Sequence, residues 1–410
     1  MSETKKRSFD ILICGAGPGG AVLANICAER GVNTVLIERQ TQFSNEFRGE
    51  GIMPSGYNAL KSIGFDLDRM NLPMQKNLRG KIYNKEKPLI SFEFPFKRQG
   101  GLRWVSQPVL LERIIKSSLT KSNFTFLRGC RALDVLRENN RVCGVKVCQK
   151  GEEFDVKAKT IIGFDGRNSM LRRKLKFKVL DFEQIIDVVW FKVPYPHEFL
   201  DRGTALVNIV SKGFMICPAC YNDELQIGWI IAKGTYSDIK RVGDDAWISE
   251  IQKQCPQDLG DHLERNRSKI SNKFVLSVKL DRCTAWNNDG VLLLGDAAHT
   301  MNPVGAQGIN IALRDAIVAA NHLVPLLLGN PTHTSLDKAF EDIEQERLRE
   351  VKPIQAFQKK PTTLLKKQNL LALFLIRNLP WISQLKFIQK RIYRLADMMA
   401  YGVTEVELKV

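Results

Sequence analysis

An α/β fold is predicted, with a Rossmann-like dinucleotide-binding domain, an inserted β-sheet domain and a C-terminal helical segment. Three observations in the 410 residues predict it. A short apolar run, Phe9–Cys14, leads directly into Gly15, Gly17 and Gly20. Two later apolar runs, opening Ile161–Arg172 and Val291–Asp315, each end in glycine and aspartate. Between Val179 and Lys279 lie several strand-like segments in alternating or apolar pattern.

Phe9, Ile11, Leu12 and Ile13 suit a buried parallel strand. Gly15 then allows a tight turn, Gly17 lets the backbone approach a pyrophosphate, and Gly20 lets helix and strand pack closely. Pro18 opens the expected helix. Its body is Ala21–Arg30, Gly31 ends it, and Thr34–Ile37 reads as a second strand. Helix N-terminal N–H groups face the phosphates. Glu38 closes the second strand 18 residues after Gly20, where a carboxylate meets ribose hydroxyls. Arg39 beside it suits either an adenine contact or solvent. The pattern marks a dinucleotide site and leaves open which dinucleotide.

The second segment, Ile161–Arg172, holds Gly163-Phe164-Asp165-Gly166, then Arg167, Ser169 and Arg172. The third reads as a strand over Leu292–Leu294, Gly295-Asp296 at its end, and a loop carrying Pro303, Gly305, Ala306, Gln307, Gly308 and Asn310. A helix over Ile309–Leu323 follows. In this order the three segments resemble the FAD-dependent aromatic hydroxylases, the single-component flavin monooxygenases related to para-hydroxybenzoate hydroxylase and the polyprenyl-methoxyphenol hydroxylases. The resemblance covers nearly all of 1–345 and fades in the tail.

That resemblance implies FAD as cofactor and NAD(P)H as co-substrate. It places Asp296 on the ribityl chain and the 303–308 loop beside the flavin ring, with the helix dipole aimed at charge on the ring. It places Asp165 at the pyrophosphate, although the family's usual alanine is replaced here by Phe164. Arg48, in Phe47–Ile52, and Gln107, ahead of a helix over Val109–Ser118, match cofactor-contacting positions. The implied chemistry is oxygen transfer from a flavin hydroperoxide to an aromatic, polyketide-like or prenylated phenol. No catalytic base is assigned. His299 is expected to be mainly supporting, and Arg103 and Tyr83 are minor candidates for a substrate anion or hydroxyl. Trp229 is expected either to line the cavity or to fill the core. Two other classes stay open: an isoprenoid double-bond reductase resembling geranylgeranyl reductases, and a non-catalytic flavin-binding redox protein. The Trp-x-Trp-x-Ile-Pro signature of related halogenases is absent.

Composition bounds the rest. Hydrophobic residues at 44% and charged residues at 26% are ordinary for a folded protein with real cores. Ile11–Cys14 is too short for a signal-peptide core. Nine scattered cysteines suit reduced cytoplasmic thiols. Cys217-Pro218-Ala219-Cys220 lacks a second pair at zinc spacing and lies between strand-like runs, so no metal is expected. Net charge is +17, concentrated late in the chain: Val351–Ala400 holds ten basic residues against Asp397 alone. With Leu370, Phe374, Trp381 and Phe387 interleaved, 361–400 suits either peripheral contact with the inner membrane surface or a helical layer packed on the FAD domain. No nucleic-acid-binding module accompanies the charge, so no nucleic-acid partner is expected. The expected FAD domain is discontinuous, at 1–75, 102–178 and 281–345. A substrate domain is expected at 76–101 and 179–280, and a basic helical segment at 346–410.

Overall fold

A computed structural model describes residues 8–43, 50–84, 86–93, 101–210, 213–270, 273–303, 305–366, 381 and 385–410. Its main sheet runs in the order Asn287–Asn288, Val291–Leu293, Glu152–Gly163, Ser8–Cys14, Thr34–Glu38, Phe124–Arg128. The four central pairings are parallel. Parallel strands covered on both faces carry continuous apolar runs, and Ile11, Leu12 and Ile13 are fully buried. The helix Pro18–Glu29 packs on the helices Gln107–Ser118 and Gln307–Leu327. Asn25 Nδ2 donates to Ser118 Oγ at 3.1 Å between the first two.

The second large sheet runs Phe274–Ser277, Ile186–Pro194, Glu224–Ala232, Gly213–Cys217, Thr204–Val210, Arg79–Asn84, Lys87–Glu93. Only the pairing of Thr204–Val210 with Arg79–Asn84 is parallel. Four of its strands, Ile186–Pro194, Thr204–Val210, Gly213–Cys217 and Glu224–Ala232, fall where strand-like runs are read between Val179 and Lys279. The helices Asp244–Gln252 and Gln257–Arg265 were not foreseen. They bury Trp247, Ile248, Ile251, Leu259 and Leu263 against Val189, Phe191 and Ile227. Trp229 belongs to this second core, with its ring 6.2 Å from Trp247. It fills space between sheet and helix.

A small three-stranded sheet, Gly51–Ile52, Leu102–Val105 and Met74–Asn77, lies between the two bodies in sequence and in contact. Asn77 ties it to the second sheet. Its Nδ2 donates to Ala219 O at 2.9 Å, and its Oδ1 accepts from Ala219 N at 3.1 Å.

Among the described residues two helices shape the tail, His333–Lys366 and Lys386–Tyr401. Much of the basic stretch 361–400 falls outside the described residues. From Met398 onward the chain lies on the main core: Met399 and Ala400 are buried, and Val406, Leu408 and Val410 pack against it. Among the described residues no helix is long and apolar enough to cross a membrane.

Candidate functional site

The three signature segments meet at one edge of the main sheet. Cys14 pairs in register with Ile37 and with Gly163, and Gly163 with Leu293, so the strands end together. Three backbone bonds carry the alignment past the strand ends. They run from Gly15 N to Ile37 O at 2.8 Å, Phe164 N to Cys14 O at 2.8 Å, and Leu294 N to Gly163 O at 2.9 Å. In open α/β sheets the carboxyl edge is where ligands bind.

Gly15 has φ +100, and a Cβ there would stand 2.4 Å from Phe164 O. At Gly20 a Cβ would meet Gly15 O at 2.0 Å, so helix and turn touch backbone to backbone. Gly17 differs: a Cβ there would meet no atom within 4 Å, so it faces open space at the helix start. Gly17 caps the helix and Pro18 is its first residue, which leaves first-turn N–H groups without side-chain caps. Glu38 reaches back to the turn. Its Oε2 accepts from Ala16 N and its Oε1 from Gln40 N, both at 2.9 Å. Arg39 next to it is exposed.

Phe164 has a physical reason to be large. Its ring lies over Gly19 and Gly295, where added Cβ atoms would stand 2.4 Å and 3.3 Å from it. The two glycines make room for the ring where the family usually keeps alanine. Asp165 Oδ2 accepts from Met170 N at 2.7 Å and Leu171 N at 3.3 Å, starting the helix Met170–Lys174. Its Oδ1 is buried without a partner among the described residues, and burial pushes the carboxyl up. Ser169 caps the same helix by accepting from Arg172 N, and buried Arg172 pairs with Asp281 at 3.4 Å. Arg172 is therefore a supporting residue.

Gly295 and Asp296 form a single 3₁₀ turn after Leu294. The Asp296 carboxyl is half-buried, and burial raises its pKa, with Arg167 and His299 opposing. His299 is buried with its Nε2 2.9 Å from Asp315 Oδ2, the oxygen that also accepts from Gly295 N at 2.9 Å. It holds the turn.

Pro303, Gly305 and Ala306 lead into the helix Gln307–Leu327, with Ala306 as left-handed cap at φ +51. Gln307 Nε2 donates to Gly305 O at 2.6 Å and to Met399 O at 2.8 Å, so its amide anchors the tail. Gly308 is open, with nothing within 4 Å of an added Cβ. Asn310 accepts from Met53 N at 2.9 Å and donates to Gly51 O at 3.1 Å, locking the short strand Gly51–Ile52 against this helix. Gln107 is half-buried as the first residue of its helix, after the cap Ser106. Arg48 lies outside the described residues.

Arg103 is only 2% exposed, donates to both oxygens of Asp68 at 2.9 and 2.8 Å and covers the Tyr57 ring at 3.9 Å, so protein groups already engage its guanidinium. Tyr83 borders a separate hollow with Phe199, Leu200 and Gln257. The second sheet contributes groups that sequence reasoning missed: Lys192, Cys220 and Tyr221, gathered on Glu50. Glu50 stood in the quoted Phe47–Ile52 stretch, but only the fold brings its partners to it.

A dinucleotide fits these residues. The opening at Gly17 and the uncapped helix start would hold a pyrophosphate, Glu38 a ribose and Asp296 a polyol chain, and the orphaned Asp165 Oδ1 would accept from a hydroxyl beside them. Fold and edge define a Rossmann-type dinucleotide-binding protein. The chain belongs to the FAD binding domain family, whose sequence profile matches residues 8–352. It is 27% identical over 350 residues to 6-methylpretetramide 4-monooxygenase of Streptomyces rimosus, covering 83% of this chain and 80% of that one. It is 26% identical over 330 residues to the ubiquinone hydroxylase UbiL of Rhodospirillum rubrum, covering 77% and 72%. The crystal structure of p-nitrophenol 4-monooxygenase PnpA from Pseudomonas putida superposes with a TM-score of 0.80 over 97% of this chain and 99% of that one, at 15% identity. The resemblance to FAD-dependent aromatic hydroxylases is borne out, and the protein is an FAD-dependent oxidoreductase.

Proposed function

We propose that this protein uses FAD, NAD(P)H and dioxygen to hydroxylate an aromatic ring, in a polyketide-like or prenylated phenol. The observation that carries the reading is the meeting of Gly15–Gly20, Asp165 and Gly295–Gly308 along one sheet edge, beside an apolar junction with the second sheet. FAD, when bound, supplies the redox and oxygen chemistry. The chain's residues do the holding: Gly15, Gly17, Pro18 and Gly20 at the pyrophosphate with Asp165, Glu38 and Arg39 at the adenosine, and Asp296 at the ribityl chain. Pro303, Gly305, Ala306, Gln307 and Gly308 border the ring, with Gln107 and Arg48 completing the contacts. The second sheet closes the opposite side and keeps water from the reacting ring. Two relatives named for a pretetramide and for ubiquinone support the substrate class.

A lipophilic substrate is further favoured by the helix Lys386–Tyr401. Phe387, Ile392 and Tyr393 are exposed there among Lys386, Lys390, Arg391 and Arg394, which suits an anionic membrane surface. Sedimentation with anionic vesicles that survives charge reversal of Lys390, Arg391 and Arg394 would count against that contact.

The main test is direct. The purified yellow protein is offered phenols, aromatic polyketides and prenylated quinols, with NAD(P)H oxidation and oxygen uptake followed together. Stimulated uptake of one dioxygen per nicotinamide, with one oxygen atom in the product, is expected. Nicotinamide oxidation on a prenyl substrate without oxygen uptake would assign the reductase reading instead, and no stimulation by any substrate would leave a non-catalytic flavoprotein.

A further inference from the structure

The side of the second sheet that turns away from the cofactor loop carries a hollow of its own. Phe191 and Val193 lie in the core under the helices Asp244–Gln252 and Gln257–Arg265. Lys192 between them points to the other face and reaches Glu50. On the helix side, a space of about 260 Å³ opens between the strands Arg79–Asn84 and Thr204–Val210 and the start of Gln257–Arg265. Tyr83, Phe199, Leu200 and Leu206 form its wall, and Glu86 and Asp258 are the charged residues in its lining.

The charge there is all of one sign, in a chain whose net charge is +17. Glu86 Oε2 accepts from Gln257 N at 3.1 Å, so a protein group already satisfies that helix-start donor. Among the described residues neither Glu86 nor Asp258 has an ion-pair partner. Asn208 stands beside Tyr83 in the parallel pairing and, two residues from Leu206, shares the face that floors the hollow. It is 1% exposed, its Nδ2 donates to Gln254 O, and its Oδ1 has no partner among the described residues. A buried amide oxygen left unpaired costs free energy unless a ligand donates to it. The Phe199 ring is itself held in place, edge-on to His262 with 6.1 Å between centroids.

We propose that this hollow binds a small organic cation, an ammonium head carrying an N–H or O–H donor. The head lies against Tyr83 and Phe199, since aromatic faces attract cations, and Glu86 and Asp258 supply the opposite charge. Carboxylates of one sign at the mouth of an apolar recess focus their field on it. The donor meets Asn208 Oδ1. A bare metal ion does not suit the place: among the described residues no three His, Cys, Asp or Glu side chains are grouped to hold one. An anion would face two uncompensated carboxylates. The volume admits only a small guest.

Choline is the probe, because it joins a cationic head to a hydroxyl. Its control is the neutral alcohol with carbon in place of the nitrogen. Calorimetric titration of the FAD-loaded protein should show one saturable choline site, with the neutral alcohol bound about tenfold more weakly or worse. Phosphocholine, the form that lipids carry, should also bind more weakly, because its phosphate meets the carboxylates. Glu86→Gln keeps an oxygen for the Gln257 N–H and removes the charge, and Tyr83→Leu removes a ring but not the bulk. Each should weaken choline binding about three- to tenfold, with melting temperature and flavin spectrum retained. Equal affinity for the neutral alcohol, tighter binding of phosphocholine, unchanged choline affinity in both variants, or no saturable choline binding overturns the proposal.

Discussion

His299 Nε2 lies 2.9 Å from Asp315 Oδ2 in the middle of the main core, and Arg347 Nε donates to Asp315 Oδ1 at 2.7 Å from the other side. All three are buried. The pair explains why a histidine in the Gly295–Thr300 segment serves position. Asp315 holds His299, Arg347 and the backbone of Gly295 at once, and so ties the ribityl-side turn to the helix Gln307–Leu327.

Removing that carboxylate leaves a buried cation uncompensated. Asp315→Asn is expected to cost about 3–5 kcal/mol, read from denaturant unfolding. Burial works against the Asp315 charge, but His299 and Arg347 outweigh it and hold the carboxyl well below its usual range. A depressed carboxyl contributes stability that is present above the unfolded value of about 4 and lost as pH falls below it. Wild type should therefore weaken on acidification below about pH 5, and the Asn variant should show a shallower acid slope. Equal slopes would show that Asp315 is not the titrating group.

The glycines of the first turn separate packing from binding. Gly20→Ala forces a Cβ into Gly15 O and should lower the melting temperature with or without FAD. Gly17→Ala meets open space, so the apoprotein should fold and melt as wild type. Its FAD affinity should nevertheless fall by about tenfold or more, because the methyl stands where backbone must approach the pyrophosphate. Fluorescence titration of apoprotein with FAD measures this. Normal affinity in the Gly17 variant would remove the pyrophosphate from that turn.

Phe164 stands where the resemblance to the aromatic hydroxylases implies alanine, and the structure supplies a test. Its ring fills the space over Gly19 and Gly295. Phe164→Ala should cost about 3–5 kcal/mol as an unfilled cavity. Phe164→Leu, which refills part of that volume, should lose less. A methyl on Gly19 could not fill it, because its Cβ would still stand 2.7 Å from Ala312 O. Equal losses in Phe164→Ala and Phe164→Leu would mean that the ring does not fill the space over the glycines.

These cases show what could be read before any fold was known. The turn at Gly15–Gly20 and the strands leading to Gly163 and Gly295 were legible because each is a local pattern whose spacing follows from parallel strands, although the last strand runs Val291–Leu293, one residue earlier than the expected Leu292–Leu294. The helix at Gln307 starts two residues before the expected Ile309, since the left-handed Ala306 cap is set by tertiary contacts. The pairing of Arg103 with Asp68 and the gathering of Lys192, Cys220 and Tyr221 on Glu50 were not legible. Their partners are 35 to 171 residues apart in the chain, and no local periodicity encodes such meetings. The helices on the second sheet were missed for a different reason: each spans nine residues and carries only two or three buried apolar positions, too few to establish a helical period.

The last residues are fastened to the main domain by specific bonds. Arg314 pairs with Glu350 and also donates to Thr404 O, while Val403 N donates to Glu350 Oε1 at 3.3 Å. Asn321 accepts from Lys409 N and donates to Glu407 O, each at 2.8 Å, and Arg30 Nη2 donates to Val410 O at 2.5 Å. Val406, Leu408 and Val410 lie on the core between these bonds. Removing residues 403–410 should therefore destabilise the protein by about 2–4 kcal/mol, from lost apolar burial and hydrogen bonds. The loss should reach the candidate site, because Gln307 is held to Met399 just before the removed segment. A truncated protein should melt lower and release FAD at lower temperature, followed by flavin fluorescence during heating. Asn321→Ala, which breaks two of the bonds without shortening the chain, should shift both transitions in the same direction by a smaller amount. If truncation lowers the melting temperature but leaves the temperature of FAD release unchanged, the tail stabilises the core without supporting the cofactor loop.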